Sequence, residues 1–133
     1  MADTSDLRDI ERAPFSALLG FKIESAGNDE ARVRMPFRLD LLNEGGPQAP
    51  IHGGAIASLI DTAAVTAVWT DPRMQQSATI SMTINYLNAG IATDLIATAK
   101  VRKRGRRVAS LNVEVQDETG RLIADSLVIF KVG

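Results

Sequence analysis

The chain is predicted to fold as one α+β domain in which a curved antiparallel sheet wraps around a single long helix. Three observations predict this. The run from Ala55 to Trp69 is apolar almost all round, as a helix enclosed by other elements is. Stretches on either side of it alternate apolar and polar residues with the period of half-buried strands. Turn residues separate those stretches, and no repeat, low-complexity tract or linker divides residues 1–133.

The elements follow in chain order. From Asp3 to Gly20, Leu7, Ile10, Phe15, Leu18 and Leu19 anchor a helical segment that Pro14 interrupts and Gly20 ends. Phe21 to Ser25 and Glu30 to Phe37 alternate around Gly27-Asn28, which is hairpin chemistry, with Ala31, Val33 and Met35 facing one way and Arg32 and Arg34 the other. Leu39 to Pro50, with Gly45-Gly46-Pro47, is a loop into the central helix. After the helix, Thr70-Asp71-Pro72-Arg73 breaks the pattern. Ser77 to Leu87 then places Ile80, Met82, Ile84 and Tyr86 on one face and Thr79, Ser81, Thr83 and Asn85 on the other. Thr93 to Val101, Val108 to Gln116 and Leu122 to Val132 complete the sheet as consecutive hairpins, the last two joined by the tight turn Asp117-Glu118-Thr119-Gly120. A sheet that covers its helix on one side leaves a face and an edge for a partner, so a homodimer is expected.

Composition narrows the function. A net charge of −1 gives no general pull towards nucleic acid, and no apolar run approaches the roughly 20 residues of a membrane-spanning helix. The absence of cysteine removes disulfides, thiol nucleophiles and thiolate metal sites, in keeping with a reducing cytoplasm, and the acidic, polar start is unlike a signal peptide. His52 is the only histidine, which argues against a histidine-built metal centre.

One stretch carries chemistry. Asp61 sits inside the apolar helix, where a carboxylate costs several kcal/mol unless it is hydrogen-bonded, paired or neutral. Gly53 and Gly54 open that helix, where the first N–H groups lack internal partners and the macrodipole favours negative charge. Read from the residues alone, Asp61 is either a catalytic acid or a capped core carboxylate. His52 is either a substrate contact or a structural partner for the helix start. Thr79 belongs either to a site or to a plain polar sheet face. Trp69 and Tyr86 read as packing.

With His52-Gly53-Gly54 at the loop-to-helix junction and Asp61 within the helix, the chain resembles the hotdog-fold acyl-CoA thioesterases, most of all the group that includes phenylacetic-acid degradation thioesterases. The resemblance runs from Leu19-Gly20-Phe21 through the strand Thr79 to Leu87 to the basic loop Arg102-Lys103-Arg104-Gly105-Arg106-Arg107. It implies that the Gly53 N–H, with help from Gly54, polarises a thioester carbonyl. It also implies Asp61 as nucleophile or general base and Thr79 as the group that orients water. Asn43 resembles the loop asparagine that contacts substrate near the carbonyl, although Gly45 to Pro50 makes its link to His52 longer than in some relatives. No metal or separate cofactor is implied, coenzyme A being part of the substrate.

Geometry adds a constraint. At about 1.5 Å per residue, Asp61 lies roughly 10 to 12 Å along the helix from Gly53 and Gly54, too far for one carbonyl carbon to meet both. Two antiparallel central helices meeting across a homodimer, with a dimer of dimers as the larger assembly, would bring each glycine to the other copy's aspartate. The basic loop is either a solvated turn protecting a sheet edge or a phosphate contact, in which Lys103, Arg104, Arg106 and Arg107 would meet the phosphates of coenzyme A. The expected activity is hydrolysis of aryl or short- to medium-chain acyl-CoA. Its competitors are a non-catalytic acyl-CoA-binding module, which would tolerate loss of Asp61, and an acyl-thioester hydratase or dehydratase on the same fold.

Overall fold

The computed structural model describes residues 4–74 and 76–133. Two short helices, α1 (Thr4–Arg12) and α2 (Pro14–Leu19), replace the single amino-terminal segment; Asp3, where that segment was expected to begin, lies outside the described residues. Pro14 starts α2 in the first helical turn, where its missing N–H costs nothing. Gly20 ends α2 with φ of 76°, its N–H bonding Ala17 O while the Phe21 N–H bonds Ser16 O. Glycine is needed there because these paired bonds require a left-handed residue.

Strands β1 (Lys22–Gly27) and β2 (Glu30–Met35) form the first hairpin. Its turn is centred one residue later than expected, on Asn28 and Asp29 with φ of 53° and 66°, while Gly27 pairs with Glu30 in the ladder. Two positive φ values in succession are what a tight hairpin of twisted strands demands, and Asn and Asp tolerate them best after glycine. Ala31, Val33 and Met35 are buried as predicted.

A 3-10 turn at Leu39–Leu41 and an exposed loop lead to the long helix α3 (Gly53–Val68). Strands β3 (Ala78–Tyr86), β4 (Leu95–Arg104), β5 (Val108–Asp117) and β6 (Leu122–Lys131) follow. They join β1 and β2 in one six-stranded sheet of order β1-β2-β4-β5-β6-β3, antiparallel throughout. The expected consecutive hairpins hold for β1–β2, β4–β5 and β5–β6 and fail only at β3, which pairs with β6, not β4. Alternation reports which residues share a face and says nothing of which strand is adjacent. Residues 87–94 contain no two-residue hairpin turn to force β3 onto β4.

The helix lies in the concavity, chiefly against β2, β4 and β5. Ala63, Ala64 and Ala67 on α3 and Ala97 and Ala99 on β4 are fully buried, so small residues on both sides let the helix approach the sheet closely. Leu59, Ile60, Val33, Leu95 and Val113 fill the remaining space. The helix is not wrapped on every side, however. Gly54, Ala57, Ser58, Asp61, Thr62, Val65 and Trp69, at helical spacing, form a stripe that the chain itself leaves at least partly open. Among the described residues no helix is long and apolar enough to cross a membrane.

Candidate active site

The site begins at the start of α3. His52 is its N-cap, and the imidazole Nδ1 accepts the Gly54 N–H at 2.7 Å, which fixes the ring proton on Nε2. The His52 carbonyl accepts the N–H groups of Ala55 and Ile56. Among the described residues the Gly53 N–H has no protein acceptor, so it is the donor left at the positive end of the helix. The two glycines therefore differ: the Gly54 N–H is spent on His52, while that of Gly53 is free. A Cβ on Gly54 would stand 2.9 Å from His52 Nδ1, so the imidazole cap requires glycine there.

Gly53 opens into a cleft of about 350 Å³ shared with Asn43, Ile51, Ile56, Tyr86 and Asn88. Asn43 is held by its own N–H bonding Pro50 O at 2.9 Å, and the bridge between Leu42 and Ile51 closes the base of the longer loop. The loop insertion thus projects outward while Asn43 stays beside Gly53. Tyr86, read from the sequence as packing, also belongs to this cleft. Its hydroxyl donates to Gly53 O at 3.0 Å, and its ring would meet a Cβ on Gly53 at 3.4 Å. Alternation placed Tyr86 on the inner face but carried no signal for that hydrogen bond.

Asp61 lies half-buried on the open stripe of α3, where Thr79 Oγ1 donates to its Oδ1 at 2.6 Å. This pairing corrects the assignment of faces along β3. The register shifts between Thr79 and Ser81, so Ile80 is a bulge. Thr79 pairs with Phe130, and beyond the bulge Met82, Ile84 and Tyr86 pair with Val128, Ser126 and Ala124. Those four partners are all buried, which puts Thr79 on the helix side together with Met82, Ile84 and Tyr86. Ile80, expected to face the core, is 56% exposed.

A second bulge, between Val101 and Lys103, sorts the basic residues. The expected loop from Val101 to Val108 is shorter, because Arg102, Lys103 and Arg104 belong to β4. The bulge turns Arg104 inward, opposite the buried Ala109. Its guanidinium reaches Asp29 at 2.7 Å, and also donates to Ala67 O at the carboxyl end of α3, where a cation suits the helix dipole. Arg104 is thus engaged within the fold, holding the β1–β2 turn to the helix end. Lys103, Arg106 and Arg107 are exposed and line an open groove of about 520 Å³ with Val108 and Ser110. Because Arg104 touches Ala67, this groove lies at the opposite end of α3 from Gly53, roughly 20 Å away along the axis.

Within one chain the structure therefore brings together Asn43, His52, Gly53, Gly54 and Tyr86 at one end of α3 and pairs Asp61 with Thr79 further along. The basic residues stand apart. The perturbed carboxyls also lie elsewhere: hydrogen bonds from Arg34 and then Arg32 lower Glu24, the Thr119 hydroxyl lowers Asp117, and Arg73 draws Asp71 down to about 2. Among the described residues no three His, Asp or Glu side chains converge as a metal cage.

The family model described as the thioesterase superfamily matches residues 50–124, more than half of the chain. The chain is 27% identical over 139 residues to the medium/long-chain acyl-CoA thioesterase YigI of Salmonella typhimurium, covering 93% of this chain and 88% of that one. Among solved structures, the PaaI protein of the Escherichia coli phenylacetic acid degradation operon superimposes with a TM-score of 0.85 at 26% identity, covering 98% of this chain and 91% of that one. A conserved Pseudomonas aeruginosa protein does so with a TM-score of 0.84 at 31% identity, over 95% and 98% of the two chains. The helix in its six-stranded sheet is the hotdog fold, and the chain belongs to the thioesterase superfamily as a hydrolase of thioesters.

Proposed function

We propose that the protein hydrolyses aryl or short- to medium-chain acyl-CoA to the free acid and coenzyme A at sites shared between two copies of the chain. The observation that carries this reading is the unspent Gly53 N–H on the same helix as a Thr79-held Asp61, with the two too far apart to act on one carbon. An antiparallel second copy would set its Asp61 opposite this Gly53. The same arrangement would bring its Lys103, Arg106 and Arg107 towards the end of α3 where the phosphates of coenzyme A would enter. The similarity to acyl-CoA thioesterases supports the substrate class.

In this reading the thioester oxygen lies on the Gly53 N–H, whose preorganised dipole stabilises the charge that develops there. Donors of this kind are worth about 3 to 4 kcal/mol. Asp61 acts as base or nucleophile. As base it takes a proton from a water that Thr79 helps to orient, the water oxygen bonds the carbonyl carbon, and the C–S bond breaks. The electron pair leaves on sulfur as a thiolate, which takes up the proton held by Asp61. A thiolate leaves readily enough that no strong general acid is needed. No metal takes part in this scheme, and coenzyme A enters only with the substrate.

The test is thiol release from a panel of aryl and aliphatic acyl-CoA substrates by the wild type and by Asp61→Asn. Turnover by the wild type and a loss of about a thousandfold or more in kcat in the variant, with coenzyme A binding retained, is the expected result. Undiminished turnover in the variant would remove Asp61 from the reaction. A wild type that binds acyl-CoA but hydrolyses none would point to a binding module instead.

A further inference from the structure

The first turn of α3 is tied down one peptide unit at a time. In the unit between His52 and Gly53 the carbonyl accepts the N–H groups of Ala55 and Ile56 at 3.0 and 3.2 Å. In the next, between Gly53 and Gly54, side chains hold both ends: Tyr86 Oη donates to the carbonyl oxygen at 3.0 Å, and His52 Nδ1 accepts the N–H at 2.7 Å. In the third, the Gly54 carbonyl accepts Ser58 Oγ at 2.8 Å, and the Ala55 N–H is the one bonded to His52 O. Among the described residues, the Gly53 N–H is the group of this set left without a protein partner.

Two consecutive glycines give such bracing a purpose. Without a Cβ each explores more φ and ψ space than any other residue, so an unbraced Gly53–Gly54 peptide would rock and carry the neighbouring Gly53 N–H with it. We propose that Tyr86 is a positioning residue for the reaction: its hydroxyl, with the His52 ring at the opposite end, clamps the Gly53–Gly54 peptide and so keeps the Gly53 N–H aimed at one point. The inference rests on the oxyanion reading of Gly53 given above and adds what keeps that donor preorganised, the property on which its effect depends.

Neither side-chain bond is needed to make the helix. The leading N–H groups of a helix are ordinarily left to water or a cap, and its carbonyls have donors four residues on. Nor does burial force the tyrosine's bond, since Tyr86 is 52% exposed and water would satisfy its hydroxyl. What fixes the hydroxyl is the end of β3. Tyr86 pairs with the buried Ala124, and the N–H groups of Leu87 and Asn88 both donate to Ile123 O, at 2.8 and 3.2 Å. The Asn88 side chain adds two more ties, donating to Leu122 O and accepting Arg121 Nη2, each at 2.7 Å. The ring then lies against Gly53, where a Cβ would meet it at 3.4 Å. Strand β3 therefore touches α3 at both groups proposed for the reaction, Asp61 through Thr79 near its start and Gly53 through Tyr86 at its last residue.

The experiment compares wild type, Tyr86→Phe, His52→Ala and the double variant by kcat and KM on the best acyl-CoA of the panel above and by thermal melt. Amide hydrogen exchange at Gly54 is followed in the wild type and Tyr86→Phe. Tyr86→Phe should lower kcat about tenfold, with KM within about twofold and an unchanged melting temperature, while Gly54 exchange quickens as the peptide loosens. His52→Ala should also lower kcat about tenfold. Because both side chains act on one peptide unit, the double variant should be no more than about threefold slower than the slower single variant. An unchanged kcat in Tyr86→Phe would overturn the proposal, and so would a lowered kcat with Gly54 exchange unaltered. A raised KM at constant kcat would make the hydroxyl a substrate contact instead, and a melting temperature that falls in step with the rate would make it structural. Single losses that multiply in the double variant would show that the two side chains do not share one peptide. Each of these results leaves the thioesterase reading standing. A wild type that turns over no acyl-CoA defeats that reading, and the positioning role with it.

Discussion

The hydroxyl of Thr79, 2.6 Å from Asp61 Oδ1, is the contact on which the carboxylate's orientation turns. Removing it with Thr79→Ala should lower kcat by about ten- to a hundredfold, the range set by a hydrogen bond to a charged group, with little change in KM or melting temperature. Steady-state kinetics beside a thermal melt checks this, and a fall in stability that matches the fall in rate would assign Thr79 to structure alone. Asp61 itself was legible in the sequence because a carboxylate interrupts an apolar helix, and a misplaced charge needs a cause. Tyr86 was not: an aromatic residue in an alternating strand packs in most settings, and only the fold brings its hydroxyl to Gly53 O. The resemblance set Gly53 ahead of Gly54, but the residues themselves carried no reason for it. The difference depends on which N–H the His52 ring takes, which is a matter of rotamer and not of residue type.

Among the elements, the departures from expectation have a common origin in two β-bulges. The one at Ile80 moves Thr79 to the helix side, and the one before Lys103 turns Arg104 inward to the end of α3. Neither bulge contains the glycine or proline that often marks one, so strict alternation assigned these faces wrongly. The long helix and the strand positions were legible because their periods persist over many residues, whereas the crossing from β3 to β4 depends on adjacency, which no period reports. The exit from α3 carries a prediction at this scale. Asp71 accepts the Arg73 side chain at 2.7 Å and the Arg73 N–H at 3.0 Å, and its carboxyl is held at about 2. A carboxyl lowered in the folded state stabilises above its ordinary pKa and loses that contribution as pH falls from about 5 towards 2. Because the Arg73 side chain is 82% exposed, solvent screening limits the gain to below about 1 kcal/mol. Asp71→Asn should therefore cost several tenths of a kcal/mol in urea unfolding at pH 7 and almost nothing at pH 2. An equal cost at both pH values would show that the effect is not electrostatic.

At the scale of the whole molecule, α3 is sheathed by the sheet along one side and carries Asp61 on the side left open, while β3 is a sheet edge that pairs only with β6. A second copy laid antiparallel on the open stripe would turn two separated half-sites into complete ones. Complementation between inactive variants tests this most directly. In the proposed mechanism Asp61→Asn would remove the base, and Gly53→Pro would remove the oxyanion N–H at a first-turn position where proline suits a helix. His52 already has the extended φ of −59° and ψ of 134° that a following proline favours. Each variant alone should be inactive. Equal amounts unfolded and refolded together should recover about a quarter of wild-type turnover, because half of the pairs are mixed and each mixed pair holds one intact site of two. Activity no greater than the sum of the two variants, in a mixture shown to contain mixed pairs, would contradict the shared site.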